Sequence, residues 1–441
     1  MKQLFDVSDG WVDRAALYKA YRQAEARFRL TRIDEALGRL FNFSDNTVRP
    51  VHGWYMFKEG FSWNLVGHFI NRYDPGPWLV VDPFCGSGTT ILEAQLRGHN
   101  AQGVEVNPFF IDVASTKLRW WQADAVALQA LVERIVTGPG STGAVREWPE
   151  LTSFRRLYSD EVLEELFHLK DLIHQVTEAD SFHRSFLLLG LTSILELTSR
   201  AYKTGKGLKF RKRQPITSAS EVRSRARDKW EQMLRDVSAL QGREQPRGEA
   251  NVQQGDAREL PLDDNCAQLV IYSPPYANTF DYNEVYKLEM WFLGHVKSYE
   301  EWRRVKEASL RSHVSLRIGL QNEGDELLER ALSLVEAPAR GETEMLRAYF
   351  TDMGKALLEQ RRVTRKGGHV VIIVGNSSYR CVPIATDLIL ARIAESQGFA
   401  VEEIRVGRRL NTSSQQMAVY NARGDDGLKF VRESAVILRR C

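Results

Sequence analysis

Residues 78–90 read WLVVDPFCGSGTT. Trp78 to Asp82 is a short apolar run of strand type closed by an acid, and Gly86 and Gly88 then open a helical stretch, TTILEAQLRG (89–98). Glycines where a strand turns into a helix let backbone N–H groups approach a ligand closely and set it at the helix N-terminus. No lysine follows Gly88 and the spacing is not GxGxxG, so a phosphate-cradling loop is disfavoured. Alone, the stretch is no more than a tight structural turn.

Working outward, AQGVEV (101–106) reads as a second strand and FFIDVASTKLRWW (109–121) as the helix after it. Strand, helix, strand, helix is the doubly wound α/β pattern. Glu105 ends the second strand, where an acid in such folds bonds the two hydroxyls of a ribose. Asp256, in GDAREL (255–260), ends a third strand-like run, in register to reach an adenine amine. A solvated acid at a strand end is the plain alternative for each. Turn, ribose acid and third-strand acid together point to a nucleoside-bearing cofactor.

The α/β pattern is interrupted twice. From about 121 to 249 the period is mostly helical, with EVLEELFHLKDLIHQV and SFLLLGLTSILELTS the clearest cases. Strand patterns resume with NVQQGDA, AQLVIYS and, later, GHVVIIVG (368–375), and residues 296–345 form a second charged, helical interruption. One core in three pieces (51–120, 250–295 and 346–441) is therefore expected, with a helical extension over 1–50. Residues 12–40 read as amphipathic helix.

The bulk numbers exclude more than they assign. The chain has 441 residues, 43% hydrophobic and 27% charged, as in ordinary globular proteins. No run of eighteen apolar residues predicts a membrane span, and the charged N-terminus does not read as a signal peptide. Four scattered cysteines without CxxC spacing, and no HExxH, argue against a disulfide framework or a metal and fit the cytoplasm. Net charge is only +3, but residues 200–230 hold eleven Lys or Arg against two acids. That segment is either a solvated basic loop or a phosphate-binding face, with Lys206, Lys209, Arg211, Lys212 and Arg213 its densest part.

The remaining feature is IYSPPYAN (271–278), an apolar strand ended by a serine, two prolines and a tyrosine. A Pro-Pro strand terminator with a surface aromatic is its structural reading. Taken with DPFCGSGTT, however, the chain resembles the S-adenosylmethionine-dependent DNA amino-methyltransferases: DPFCGSGTT is similar to their cofactor motif and SPPY to their catalytic motif. WYMFKEGFS (54–62) is similar to the motif that closes over the methionine end of the cofactor. The resemblance covers roughly 50–120 and 250–295, more weakly 365–440.

The resemblance implies a Rossmann-like class I methyltransferase fold with helical insertions, mostly parallel strands and a reversed final hairpin. It implies S-adenosylmethionine as cofactor, held by Lys58, Phe61, Asp82, Phe84, Cys85, Gly86, Ser87, Gly88, Thr89, Glu105, Asn107, Asp256 and Ala257. It implies a catalytic loop of Ser273, Pro274, Pro275 and Tyr276. An exocyclic amine is a poor nucleophile because its lone pair is delocalised, and acceptors around the NH₂ hold it more tetrahedral. The Ser273 hydroxyl and Pro274 carbonyl supply two, and proline's fixed φ aims the carbonyl. Tyr276 is expected to stack on a base flipped out of double-stranded DNA. Asp281 and Tyr282 support the loop, or Asp281 starts a helix.

A serine heading the motif is commoner for cytosine N4 than for adenine N6, so cytosine N4 is favoured. C5 chemistry needs a cysteine, typically in Pro-Cys, and the chain has none. The rivals are adenine N6, guanine N2 of transfer RNA, and a non-catalytic partner subunit. In the family an insertion often reads the target; here the first one precedes Asp256 rather than following it, so which insertion reads DNA stays open. A cognate restriction or phage-defence system is the family's usual setting.

Overall fold

The computed structural model describes residues 10–31, 33–140, 150–151, 153–204, 207–212, 218–240, 248–278, 280–313, 324–335, 341–423 and 426–441. Twelve strands lie within them: β1 (Leu30–Thr31), β2 (Leu79–Asp82), β3 (Ala101–Glu105), β4 (Ala201–Thr204), β5 (Gly207–Phe210), β6 (Ala250–Gln254), β7 (Ala267–Tyr272), β8 (Thr364–Gly375), β9 (Ser377–Tyr379), β10 (Val382–Ile384), β11 (Phe399–Arg409) and β12 (Arg432–Arg440). Eight form one sheet in the order β1-β11-β12-β8-β7-β2-β3-β6. The pairs from β6 to β8 are parallel, whereas β12 runs antiparallel to both β8 and β11. This is the class I methyltransferase order with its reversed last strand. The chain changes winding direction between β2 and β7, and the crevice beyond the strand ends at such a point is where open α/β sheets bind ligands.

Alternation along the strands builds both faces. Val80, Leu269, Ile271, Val371 and Ile373 pack into one apolar core, and Val81, Val270, Tyr272, Val370, Ile372 and Val374 into the other. Burial on both sides explains why these strands read as continuous apolar runs rather than alternating ones. Helices of the first interruption, through Leu128, Leu163, Phe186 and Trp230, close the first core. Helix Gly10–Arg27, through Leu17 and Tyr21, and helix Glu326–Val335, through Leu328 and Leu332, close the second.

Two expectations change. The helix expected over 12–40 stops at Arg27; Leu30 and Thr31 then pair in parallel with Ile404 and Arg405. Asp34 starts a separate helix, Glu35–Leu40, by accepting from the Leu37 N–H at 3.0 Å. The N-terminal segment thus extends the central sheet by one strand. The first interruption is also not purely helical, because AYKT and GLKF form the antiparallel hairpin β4–β5. It packs on the helix Tyr282–Val285 just after SPPY, and a Cβ at Gly207 would lie 3.3 Å from Glu284 Cγ.

The hairpin decides the fate of much of the basic segment. Lys203 is buried and bonds Glu289 and, at 2.9 Å, the Tyr55 hydroxyl. Arg223 pairs with Glu165 and caps the end of helix Ala125–Thr137 through the carbonyls of Val136, Gly138 and Pro139. Arg225 pairs with Glu221, Arg227 with Glu133, and Lys229 donates to the Gly53 carbonyl. These cations hold the interruption together, so fewer cations of the segment than its composition suggests are left on the surface. Lys209 and Lys212 are exposed beside Phe210, which is 45% exposed, with the Arg156 guanidinium 5.8 Å from its ring. Arg211 is half-buried and donates to the Glu196 carbonyl. Lys206 and Arg213 lie outside the described residues.

Candidate active site

The turn after β2 works as its glycines require. Gly86 has φ +49° and Gly88 φ +85°, values that favour glycine. A Cβ on Gly86 would meet the Phe57 ring at 2.9 Å, and one on Gly88 would meet Ala114 Cβ at 3.0 Å. The Gly86 N–H donates to Glu105 Oε2 at 2.8 Å, while Glu105 Oε1 accepts from the N–H groups of Val106 and Asn107. Burial raises the Glu105 carboxyl and these three donors oppose it.

A cavity opens over this turn, lined by Phe84, Gly86, Glu105, Asn107, Asp256, Ala257, Ser273, Pro274 and Pro275 of the expected residues. Other expected residues stand elsewhere, each for a visible reason. Asp82 turns its carboxylate back to the Phe84 N–H, at 3.0 Å, and to Thr90. Cys85 packs under the turn against Gly103, and Thr89 accepts from the Asn46 amide at 3.4 Å. Gly88 is pressed on Ala114, and Ser87 faces a separate cleft beside Met56 and Lys229. Lys58 points away to pair with Glu196 at 3.1 Å, and Phe61 is buried beside the adjoining cleft rather than this cavity.

Asp256 lines the cavity, but Arg258 holds both of its oxygens, at 2.7 to 3.0 Å, and bridges onward to Asp352 and the Ala308 carbonyl. Through that bridge the second interruption roofs the cavity with Ser309, Leu310, Ser312 and His313. Sequence reasoning missed these four, and no local motif marks them. It also missed Glu59, which lines the cavity while its neighbour Lys58 does not. Burial raises the Glu59 carboxyl, and the Tyr286 hydroxyl donates to it. An acid in the middle of WYMFKEGFS was the available signal.

β7 ends at Tyr272, and Ser273 then lines both the cavity and an adjoining cleft. That cleft is walled by Glu59, Phe61, Tyr276, Phe280, Tyr282, Arg408 and Glu433, among others. The Tyr276 hydroxyl donates to Glu433 Oε1 at 2.6 Å, and the Ser273 hydroxyl makes a longer contact to Tyr276 Oη at 3.4 Å. Burial, and then the Glu433 carboxylate, push the Tyr276 phenol well up, so it stays protonated. Asp281 is the helix start: it accepts from the Glu284 N–H at 3.0 Å and pairs with Lys306 at 2.7 Å.

The strand order and a cavity at the switch point define a class I methyltransferase. A family model described as DNA methylase matches residues 22–116. The type II methyltransferase M.AvaI of Nostoc sp. is 26% identical across 98% of this chain and 95% of its own length. M.BsoBI of Geobacillus stearothermophilus is 23% identical across 87% and 85%. By these matches the chain is similar to DNA methylases and type II methyltransferases, in line with the family its motifs resemble. Solved structures overlap it loosely: a SAM-dependent methyltransferase from Methanosarcina mazei gives a TM-score of 0.30 at 10% identity, covering 84% of this chain and 96% of that one. The fold rests on the strand order instead.

The cofactor is S-adenosylmethionine, and the residues present fit it. The cavity offers a carboxylate at a strand end, a side-chain-free backbone at Gly86 beneath Phe57 and a second, desolvated carboxylate at Glu59. Among the described residues no cluster suited to a metal ion occurs, and no helix is long and apolar enough to cross a membrane.

Asp82, beneath the turn, makes the stability of the fold pH-sensitive. Burial lifts its carboxyl from 3.8 to about 7, so between those values the folded state binds a proton that the unfolded state has lost. Its contribution to stability is therefore present at low pH and lost as pH rises toward 7. Thermal melts at pH 5 and pH 8 should show a smaller drop for Asp82→Asn than for the native chain. An equal drop would mean that Asp82 stays ionised in the fold.

Proposed function

We propose that this chain methylates an exocyclic amine of a base in double-stranded DNA, with cytosine N4 as the amine and base flipping as the means of access. The observation that carries the reading is Ser273, which lines the cofactor cavity and the adjoining cleft at once. Donor and acceptor would meet across that one side chain.

The cofactor supplies an electrophilic methyl group on a positively charged sulfur, so the protein's task is mainly positioning. Glu105 would take the ribose hydroxyls, Gly86 would let the backbone approach, and Asp256 and Ala257 would flank the adenine. Glu59 would face the cofactor's positive charge, its buried carboxylate held in place by the Tyr286 hydroxyl and its own backbone N–H. On the other side, the Ser273 hydroxyl hydrogen is directed at Tyr276, which turns oxygen lone pairs toward the cleft. That polarity suits an acceptor of amine hydrogens, with the Pro274 carbonyl as the second. The Glu433 bond fixes the Tyr276 ring as a stacking face; such stacking is worth about 1–3 kcal/mol per base.

Duplex binding would fall to the β4–β5 hairpin, whose exposed Lys209, Phe210 and Lys212 stand beside the helix that follows SPPY. Neutralising Lys209 and Lys212 together should weaken DNA binding and reduce the slope of log affinity against log salt by about 2. An unchanged slope would return the hairpin to a purely structural role.

Labelled methyl should pass from the cofactor to duplex DNA and not to total RNA, and digestion should release N4-methylcytosine. Label in RNA alone would sink the reading; label in neither would favour a non-catalytic subunit. Tyr276→Ala should lower single-turnover transfer about 10- to 100-fold, and Ser273→Ala should lower it severely. Cofactor binding should persist in both, and its loss in Ser273→Ala would contradict the role assigned to that hydroxyl. Separately, Glu59→Gln should weaken cofactor binding about tenfold. Native affinity should fall as acid protonates the raised Glu59 carboxyl, whereas the Gln variant should show a flat profile. Matching profiles would remove Glu59 from the cofactor site.

A further inference from the structure

The cleft beside Ser273 contains a cation that the proposed chemistry has not used. Arg408, on β11, sits directly across the ladder from Glu433 on β12. Glu433 is held from two sides: Oε1 accepts from the Tyr276 hydroxyl and Oε2 from Arg408 Nε. The carboxylate side chain is 4% exposed, whereas the arginine side chain is 39% exposed. Anchoring through Nε leaves the two terminal nitrogens of Arg408 without a partner among the described residues. The other cation on the cleft wall, Lys58, is paired with Glu196.

We propose that Arg408 is a specificity-determining residue: its free guanidinium fork reads the ring edge next to the target amine and selects cytosine over adenine. A guanidinium only donates, and its planar fork matches two neighbouring acceptors. Going round the ring from the amine, cytosine presents N3 and then O2, both acceptors. Adenine presents N1 and then a C–H, so the second donor of the fork would be left unpaired. A base on the Tyr276 face, with its amine at Ser273, shares the cleft with this fork. Glu433 locks the ring of Tyr276 and the fork of Arg408 in one arrangement, so stacking and edge reading are set together.

This inference rests on the DNA-amine reading and deepens it. Because its argument comes from the acceptor pattern of the base edge, it is independent of the serine heading SPPY. The test uses the full chain and S-adenosylmethionine, with a duplex carrying the site mapped by sequencing DNA that the native enzyme has methylated. A second duplex carries adenine at the target position. The native chain should prefer cytosine strongly. Arg408→Gln should lose about 10- to 100-fold in cytosine transfer, with adenine transfer and cofactor affinity changed less than about threefold, so that the ratio collapses. Arg408→Lys keeps the pairing with Glu433 but lacks the fork, and should show the same collapse with the native melting temperature. A preserved cytosine-to-adenine ratio in both variants overturns the role of Arg408 while leaving the methyltransferase reading intact. A native enzyme that makes only N6-methyladenine overturns both the inference and the cytosine assignment.

Discussion

The bond from the Gly86 N–H to Glu105 is the constraint on which the site depends. It ties the turn after β2 to the end of β3, the neighbouring strand, and so fixes Glu105 and the turn as one wall of the cavity. The geometry is available only because Gly86 adopts a positive φ and presents no Cβ to Phe57. Phe57 can then cover the turn, which brings Glu59 onto the cavity wall. From there the cavity runs to Ser273, where the parallel strand β7 gives way to Pro-Pro. Turn, cavity wall and loop cover are thus fixed together by one hydrogen bond between adjacent strands.

Much of this was legible because it is local. WLVVD, AQGVEV and AQLVIYS announce themselves as buried parallel strands by unbroken apolar runs, and the glycine turn announces its own conformation. What was not legible is set by distant partners. Lys58 and Glu59 are adjacent, and nothing in WYMFKEGFS says which one faces the cavity; the packing of Phe57 and Tyr286 decides it. Asp256 stands where an adenine acid is expected, but its bidentate partner Arg258 could not be anticipated without Asp352 and Ala308. Arg408 and Glu433 lie 25 residues apart in sequence and meet only because β11 and β12 pair.

Charge shows the same limit more sharply. Residues 200–230 look like one basic surface, yet Lys203 and Arg223 point inward to acids and carbonyls of other helices. A buried cation with a partner contributes structure, and removing one member of such a pair costs several kcal/mol because the other stays buried without it. An exposed lysine beside an aromatic contributes a surface. Composition counts both alike; only tertiary contacts separate them.

The helices of the first interruption do not stand apart from the catalytic half. Phe186 packs edge-on against Trp54, 5.2 Å between ring centroids, and Lys203 reaches Tyr55. Trp54 and Tyr55 belong to the same loop that carries Phe57 and Glu59. A segment fused so closely to the catalytic half cannot be exchanged like a cassette between homologues. Diversification would instead have to proceed by substitution on surfaces that leave the shared core alone, such as the outer side of the β4–β5 hairpin. Inheritance of a new specificity in this lineage would therefore be gradual, and its record would lie in single side chains rather than in swapped domains.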